Sequence, residues 1–137
     1  MSILLDTRVF LWAAGFEGRL SESAKTLLDD PEQEIFFSAA SAWEIAIKWS
    51  KGRLTLPASP TEVVSRVVAT AGLSQLSITV RDACAVADLP SHHKDPFDRL
   101  LVAQARTNGL KLMTANPILE RYDVDVIALW LDDDDDE

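Results

Sequence analysis

Two hydrophobic periods follow one another along this chain: short, nearly continuous apolar runs, and longer stretches in which apolar residues recur every three to four positions. Ser2 to Leu5 is a run of the first kind and predicts a strand. Thr7 to about Ala14 predicts a helix, broken by Gly15 to Gly18. Ser21 is expected to cap a second helix that runs to about Asp30 and is closed by Pro31. Glu34 to Ser38, with Ile35, Phe36 and Phe37, predicts the second strand. Ser41 is placed as the cap of a third helix through about Lys51, stopped by Gly52. Beyond Pro60 and Thr61, the i, i+4 pairs Val63/Val67 and Val64/Val68 mark a fourth helix. Gln75 to Ile78 predicts the third strand and Arg81 to Ala87 a helix. Asp95 is a cap, Pro96 a first helical residue and Gly109 a terminator, and together they bound the best-marked helix of the chain. Lys111 to Thr114 predicts the fourth strand, Pro117 to Arg121 a helical turn, and Val124 to Leu129 the fifth strand.

Strands alternating with helices predict an α/β fold in which a parallel sheet lies between helical layers. There is no repeat and no linker, so residues 1–131 are expected to form one domain, followed by an acidic tail at 132–137. In open sheets of this kind ligands sit beyond the carboxyl ends of the strands, where the strand order reverses. Asp6 follows the first strand and Asn116 the fourth. Glu44 lies in the first turn of the helix after strand two, and Asp98 in the first turn of the helix before strand four. All four map to that one edge.

Composition changes this picture only in part. At 47% hydrophobic, the 137 residues fit a globular chain with a real core. A single cysteine, Cys84, excludes an internal disulfide and is expected to be a small buried hydrophobe, consistent with a cytoplasmic setting. No run approaches the ~18 apolar residues of a membrane span, and Asp6 and Arg8 interrupt the N-terminus in a way that argues against a signal peptide. The formal charge of −9 speaks against nucleic acid. Without the six acids of the tail it is −3, and the objection weakens.

Each candidate residue also has a bland reading. Asp6 is a good helix cap. Glu44 stands at capping-box spacing from Ser41 and at i, i+4 from Lys48. Its neighbours Ala39 to Ile47 are nearly all apolar, however, and a carboxylate held in such a face costs several kcal/mol unless it is paired or bound to metal. Asp95 is accounted for by capping, whereas Asp98, beside Leu100, Leu101 and Val102, is not. His92 and His93 do not make a zinc site, since no second spaced pair and no thiolate set accompany them; a surface loop is expected, with phosphate contact as the alternative. Lys48, Lys51, Arg53, Lys94 and Arg99 read as solubilising charge or as a rim that steers phosphate. Trp43 and Trp49 are expected in the core, with a partner contact as the alternative for Trp49, near Leu54 and Leu56. Several converging acids would cage a hard divalent cation.

Leu-Leu-Asp-Thr at Leu4 to Thr7, Ser-Ala-Ala-Ser-Ala-Trp-Glu-Ile-Ala-Ile-Lys at Ser38 to Lys48, and Leu-Pro-Ser-His-His-Lys-Asp-Pro-Phe-Asp-Arg-Leu-Leu-Val-Ala-Gln-Ala at Leu89 to Ala105 carry a resemblance. Through them the chain resembles PIN-domain proteins, in particular the VapC-type toxins of bacterial toxin–antitoxin pairs, from Ile3 to about Leu129. The resemblance implies a three-layer α/β/α fold with a five-stranded parallel sheet, and an Mg²⁺- or Mn²⁺-dependent endoribonuclease that hydrolyses RNA phosphodiesters with a metal-activated water. Asp6, Glu44 and Asp98 match the family's acidic metal site, and Asn116 falls where many members carry a fourth acid. An amide there can coordinate but supplies no charge. The resemblance further implies a homodimer and a small antitoxin protein as partner. Two alternatives stand beside it. One is a catalytically silent PIN-like module that works by binding a partner, and Asn116 favours it. The other is an aspartyl-nucleophile phosphatase, disfavoured by Arg8 two residues after Asp6.

Overall fold

The structure is a computed structural model and describes residues 1–129; the expected acidic tail at 132–137 lies outside the described residues. Five strands alternate with six α-helices. They are β1 (Ser2–Leu5), α1 (Thr7–Ala13), α2 (Glu22–Asp29), β2 (Glu34–Ser38), α3 (Ala39–Ser50), α4 (Pro60–Ala71), β3 (Ser74–Leu76), α5 (Val80–Ala85), α6 (Pro96–Asn108), β4 (Lys111–Thr114) and β5 (Val126–Ala128). Short 3-10 turns at Val86–Asp88 and Pro117–Arg121 complete the chain path.

All strand pairs are parallel and the order is β3-β2-β1-β4-β5. Such an order needs crossovers in both directions from β1, so helices cover both faces. The central strand shows it residue by residue. Ile3 and Leu5 enter one core with Val9, Phe10, Ile35, Phe37 and Met113, while Leu4 enters the other with Leu101, Val102, Leu112 and Leu119. The continuous apolar character of β1 is thus the signature of a strand buried on both faces, and Ile3, Leu4 and Leu5 are all essentially inaccessible. Among the described residues no helix is long and apolar enough to cross a membrane.

Several local expectations are corrected. Ser38, not Ser41, caps α3, its hydroxyl accepting from Ala40 N at 3.0 Å. The cap falls where β2 ends, which leaves Ser41 inside the first turn, so no capping box joins Ser41 to Glu44. The buried face of α3 is Ala40, Ser41, Glu44 and Ile45. Trp43 and Trp49 lie off that face and are 58% and 42% exposed, not core. Cys84 is exposed because Asp82 takes the buried position of α5. That helix starts at Val80, one residue early, behind a capping box from Thr79 to Asp82. The edge strands β3 and β5 are shorter than the runs that announced them.

Candidate metal centre

The order of strands reverses between β1 and β4, and the backbone joins the carboxyl ends of these two strands directly: Asp6 N donates to Met113 O at 3.0 Å. Asp6 is the first residue past β1. One carboxylate oxygen, Oδ1, accepts from Val9 N at 2.7 Å and so caps α1; the other, Oδ2, accepts from the Thr114 hydroxyl at 2.5 Å. Each oxygen retains a further lone pair. The residue is 4% exposed, and burial raises its pKa, opposed by the bonds from Thr114 and Val9.

Glu44 reaches the same edge from α3. Its Oε2 pairs with Lys48 Nζ at 2.8 Å, the i, i+4 contact expected from the sequence. Its Oε1 is buried and has no hydrogen-bond partner among the described residues. Leaving a charged oxygen in that state costs more than an ordinary lost hydrogen bond, so the atom is set up for a ligand that brings positive charge. Two contacts hold α3 in place. The Thr7 hydroxyl donates to Ser41 Oγ at 2.9 Å, and the hydroxyl of Ser38 donates to Gln104 Oε1 on α6. Gln104 also donates to Ser77 O and Asp82 Oδ2, so a buried amide ties the helices bearing Glu44 and Asp98 to α5 and to the segment that follows β3.

Asp95 and Asp98 come from the start of α6. Asp95 Oδ1 caps the helix, accepting from Phe97 N at 2.8 Å and from Asp98 N at 3.4 Å. Asp98 accepts no backbone bond. Its pKa is pushed up to about 6, first by burial and then by the negative charges of Asp95 and Asp6; a bond from His93 lowers it and the charge of Glu44 raises it again. Three other acids therefore act on one carboxyl, each from a separate position on the carboxyl edge.

Asn116 lies just past β4. Its Oδ1 accepts from Ile118 N at 3.2 Å and caps the 3-10 turn, which leaves Nδ2 facing His93 Nε2 at 3.4 Å. The carbonyl therefore already accepts one hydrogen bond from the turn and keeps one lone pair. His93 itself was missed by sequence reasoning. Its Nε2 stands 3.0 Å from Asp98 Oδ2, and one donor atom each from His93, Asp95 and Asp98 lie within 4.8 Å of one another. The trio Asp6, Glu44 and Asp98 does not close to that distance. A His-x-Asp-x-x-Asp spacing was the available signal, hidden by reading the histidines as a pair.

Arg99 is corrected as a steering residue. Its guanidinium donates to Pro90 O, Val86 O, Leu89 O and Tyr122 Oη, so it holds the loop before α6 and does not face a ligand. Lys51, Arg53 and Lys94 remain exposed. A cavity of about 480 Å³ lined by Leu5, Phe10, Leu20 and Val67 contains none of the acids of the carboxyl edge. The donor set at that edge, carboxylate oxygens with one imidazole, suits a hard or borderline divalent cation.

An all-parallel α/β sandwich with acids gathered at its topological switch point is a defined class of site. Residues 3–125 match the PIN domain model, and the chain belongs to the PIN domain family. Comparison with curated protein sequences finds no match. Among solved structures, VapBC2 from Rickettsia felis bound to a DNA fragment from its promoter is similar at TM-score 0.69 and 16% identity, over 93% of this chain and 98% of that one. DNA-bound VapBC from Salmonella typhimurium is similar at TM-score 0.68 and 15% identity, covering 94% and 98%. FitAcB from Neisseria gonorrhoeae gives TM-score 0.63 and 20% identity, covering 93% and 98%. At these identities the likeness is one of fold.

Proposed function

We propose that this chain is an Mg²⁺- or Mn²⁺-dependent endoribonuclease that serves as the toxin of a toxin–antitoxin pair in the cytoplasm. The observation that carries the reading is the buried Oε1 of Glu44, without a hydrogen-bond partner among the described residues, on the edge where burial and the charges of Asp95, Asp6 and Glu44 raise the pKa of Asp98. Asp6 and Asp98 would hold the cation directly, with Glu44 Oε1 completing the cage, directly or through a water. Such a cation would supply an acidified water and positive charge against the phosphoryl oxygens. Thr114 and Val9 N fix the Asp6 carboxylate, so its orientation is set before any ligand arrives. The Thr7 hydroxyl is spent on Ser41, and Asn116 Nδ2 is the group left to orient a water or a phosphate oxygen. Lys51, Arg53 and Lys94 supply a local basic path on a chain whose overall charge is negative.

The resemblance in sequence and the likeness to VapBC support a small antitoxin partner and a homodimer; light scattering on the purified protein tests the second. The direct test of activity incubates antitoxin-free protein with total bacterial RNA and Mn²⁺, beside EDTA and Asp98→Asn controls. Discrete fragments absent from both controls are expected. Equal cleavage by Asp6→Asn and Asp98→Asn would overturn the assignment.

A second reading, a silent module that acts by binding a partner, is favoured by Asn116, an amide that supplies no charge where the resemblance places a fourth acid. Intact RNA with the natural sequence, and cleavage restored by Asn116→Asp, would favour it.

A further inference from the structure

Resting on the metal-nuclease reading above, we infer that His93 is a direct ligand of the cation and supplies, through Nε2, a neutral ligand atom at a site where Asn116 provides no carboxylate. No resemblance assigns this residue. Its Nε2 lies 3.0 Å from Asp98 Oδ2, and donors of His93, Asp95 and Asp98 fall within 4.8 Å of one another. Bonds of about 2.1 Å put neighbouring octahedral ligands roughly 3.0 Å apart, and this is the separation of His93 Nε2 and Asp98 Oδ2, so one ion can take both as adjacent ligands.

Two further observations point to an ion. Glu44, 5% exposed, is near enough for its charge to act on Asp98, and its Oε1 has no hydrogen-bond partner among the described residues. The Asn116 cap fixes Oδ1 on Ile118 N and turns Nδ2 toward His93 Nε2. With the imidazole proton on Nε2 the ring donates to Asp98 Oδ2; with the proton on Nδ1, the form a metal ligand needs, Nε2 and Oδ2 are both acceptors and a cation between them would join the two.

An imidazole also changes which metal is held. Mg²⁺ keeps to oxygen ligands and gives up water reluctantly, whereas Mn²⁺ accepts nitrogen more readily. His93→Ala should weaken Mn²⁺ binding by about tenfold or more and leave Mg²⁺ binding nearly unchanged. Loss of an outer partner can cost as much, so affinity alone does not decide.

The deciding measurement is pulsed electron paramagnetic resonance on untagged full-length protein with one equivalent of Mn²⁺, read for modulation from a directly bound ¹⁴N. The chain has two histidines, so His92→Ala is the internal control. Acids of the tail can take up Mn²⁺ but contribute no nitrogen. Modulation in the natural protein and in His92→Ala, absent from His93→Ala, is the expected result. Bound Mn²⁺ without nitrogen modulation, or modulation that survives in His93→Ala, overturns the role of His93 and leaves the nuclease reading standing. Failure to bind Mn²⁺ at all, with no RNA cleavage in either metal, overturns both.

Discussion

Asp98 is ionised at neutral pH at a cost to the fold, and the cost can be measured without any substrate. Its pKa is raised from 3.8 to about 6, chiefly by burial and by the charges of Asp95 and Asp6. The folded state therefore binds this proton more tightly than the unfolded one. Stability then falls as pH rises from about 4 through 6, and the whole contribution is lost above that window. A shift of about 2 units corresponds to roughly 3 kcal/mol. Asn at this position cannot ionise, but it also forfeits the favourable interaction of an anion with the α6 N-terminus, about 0.3–1 kcal/mol. Metal-free Asp98→Asn should accordingly be about 2 kcal/mol more stable than the natural protein at pH 7.5. For a domain of this size that is roughly 6–10 °C in melting temperature. Near pH 5 the gap should shrink, because the natural Asp98 is then largely protonated in the folded state. Urea unfolding in EDTA from pH 5 to 8 reads this directly. Asp6, also raised by burial, adds a slope of the same sign, while Asp82, held low by its hydrogen bonds against burial, acts below the window. Equal or lower stability of Asp98→Asn at pH 7.5, or a natural protein whose stability does not fall across the window, would refute the reasoning.

Four other outcomes follow from the same contacts. Asp6→Asn keeps an able cap for α1 and Glu44→Gln keeps the volume of α3, so each should lose at least about 100-fold in RNA cleavage while circular dichroism stays native. Arg99→Ala should cost about 2 kcal/mol in denaturant unfolding, because it strips a charged donor from the carbonyls of Pro90, Val86 and Leu89. Asn116→Asp retains the cap on Ile118 N and adds a charge; calorimetry should find Mg²⁺ bound more tightly, and unfolding in EDTA should find the protein less stable. Trp43→Ala should cost at most about 1.5 kcal/mol, the worth of its edge contact with Phe97 at 5.1 Å, against about 3–5 kcal/mol for a core tryptophan.

The central strands were legible because both of their faces are buried, which makes Ser2–Leu5, Glu34–Ser38 and Lys111–Thr114 continuous apolar runs with sharp ends. The edge strands β3 and β5 pair on one side only, and there the apolar run overstates the ladder. Asp6, Glu44 and Asp98 stood out because each interrupts an apolar segment where a helix begins. What stayed hidden depends on partners remote in sequence. Gln104 looked like one polar residue on a helix, yet it is fully buried between Ser38 and Asp82. Trp43 looked like core because size and hydrophobicity were weighed without the position of the buried stripe, which a cap displaced by three residues moved out from under it. His93 required the loop before α6 to fold back on Asp98, and the Arg99 bonds that shape that loop have no sequence signature.

Linkage joins the fold to the proposed chemistry. Cation binding at a concentration 100 times its Kd stabilises a folded protein by about 2.7 kcal/mol. That is close to the roughly 3 kcal/mol that the ionised Asp98 costs when no cation is present. The metal-bound natural protein should therefore recover the stability that the carboxylate cluster forfeits, whereas Asp98→Asn, already relieved of the charge and short of a ligand, should gain little. With saturating Mn²⁺ at pH 7.5 the two unfolding curves should draw together or change order relative to EDTA. Parallel shifts of both proteins would mean that the cation binds elsewhere, and that the raised pKa of Asp98 records a buried acid with no part in holding metal.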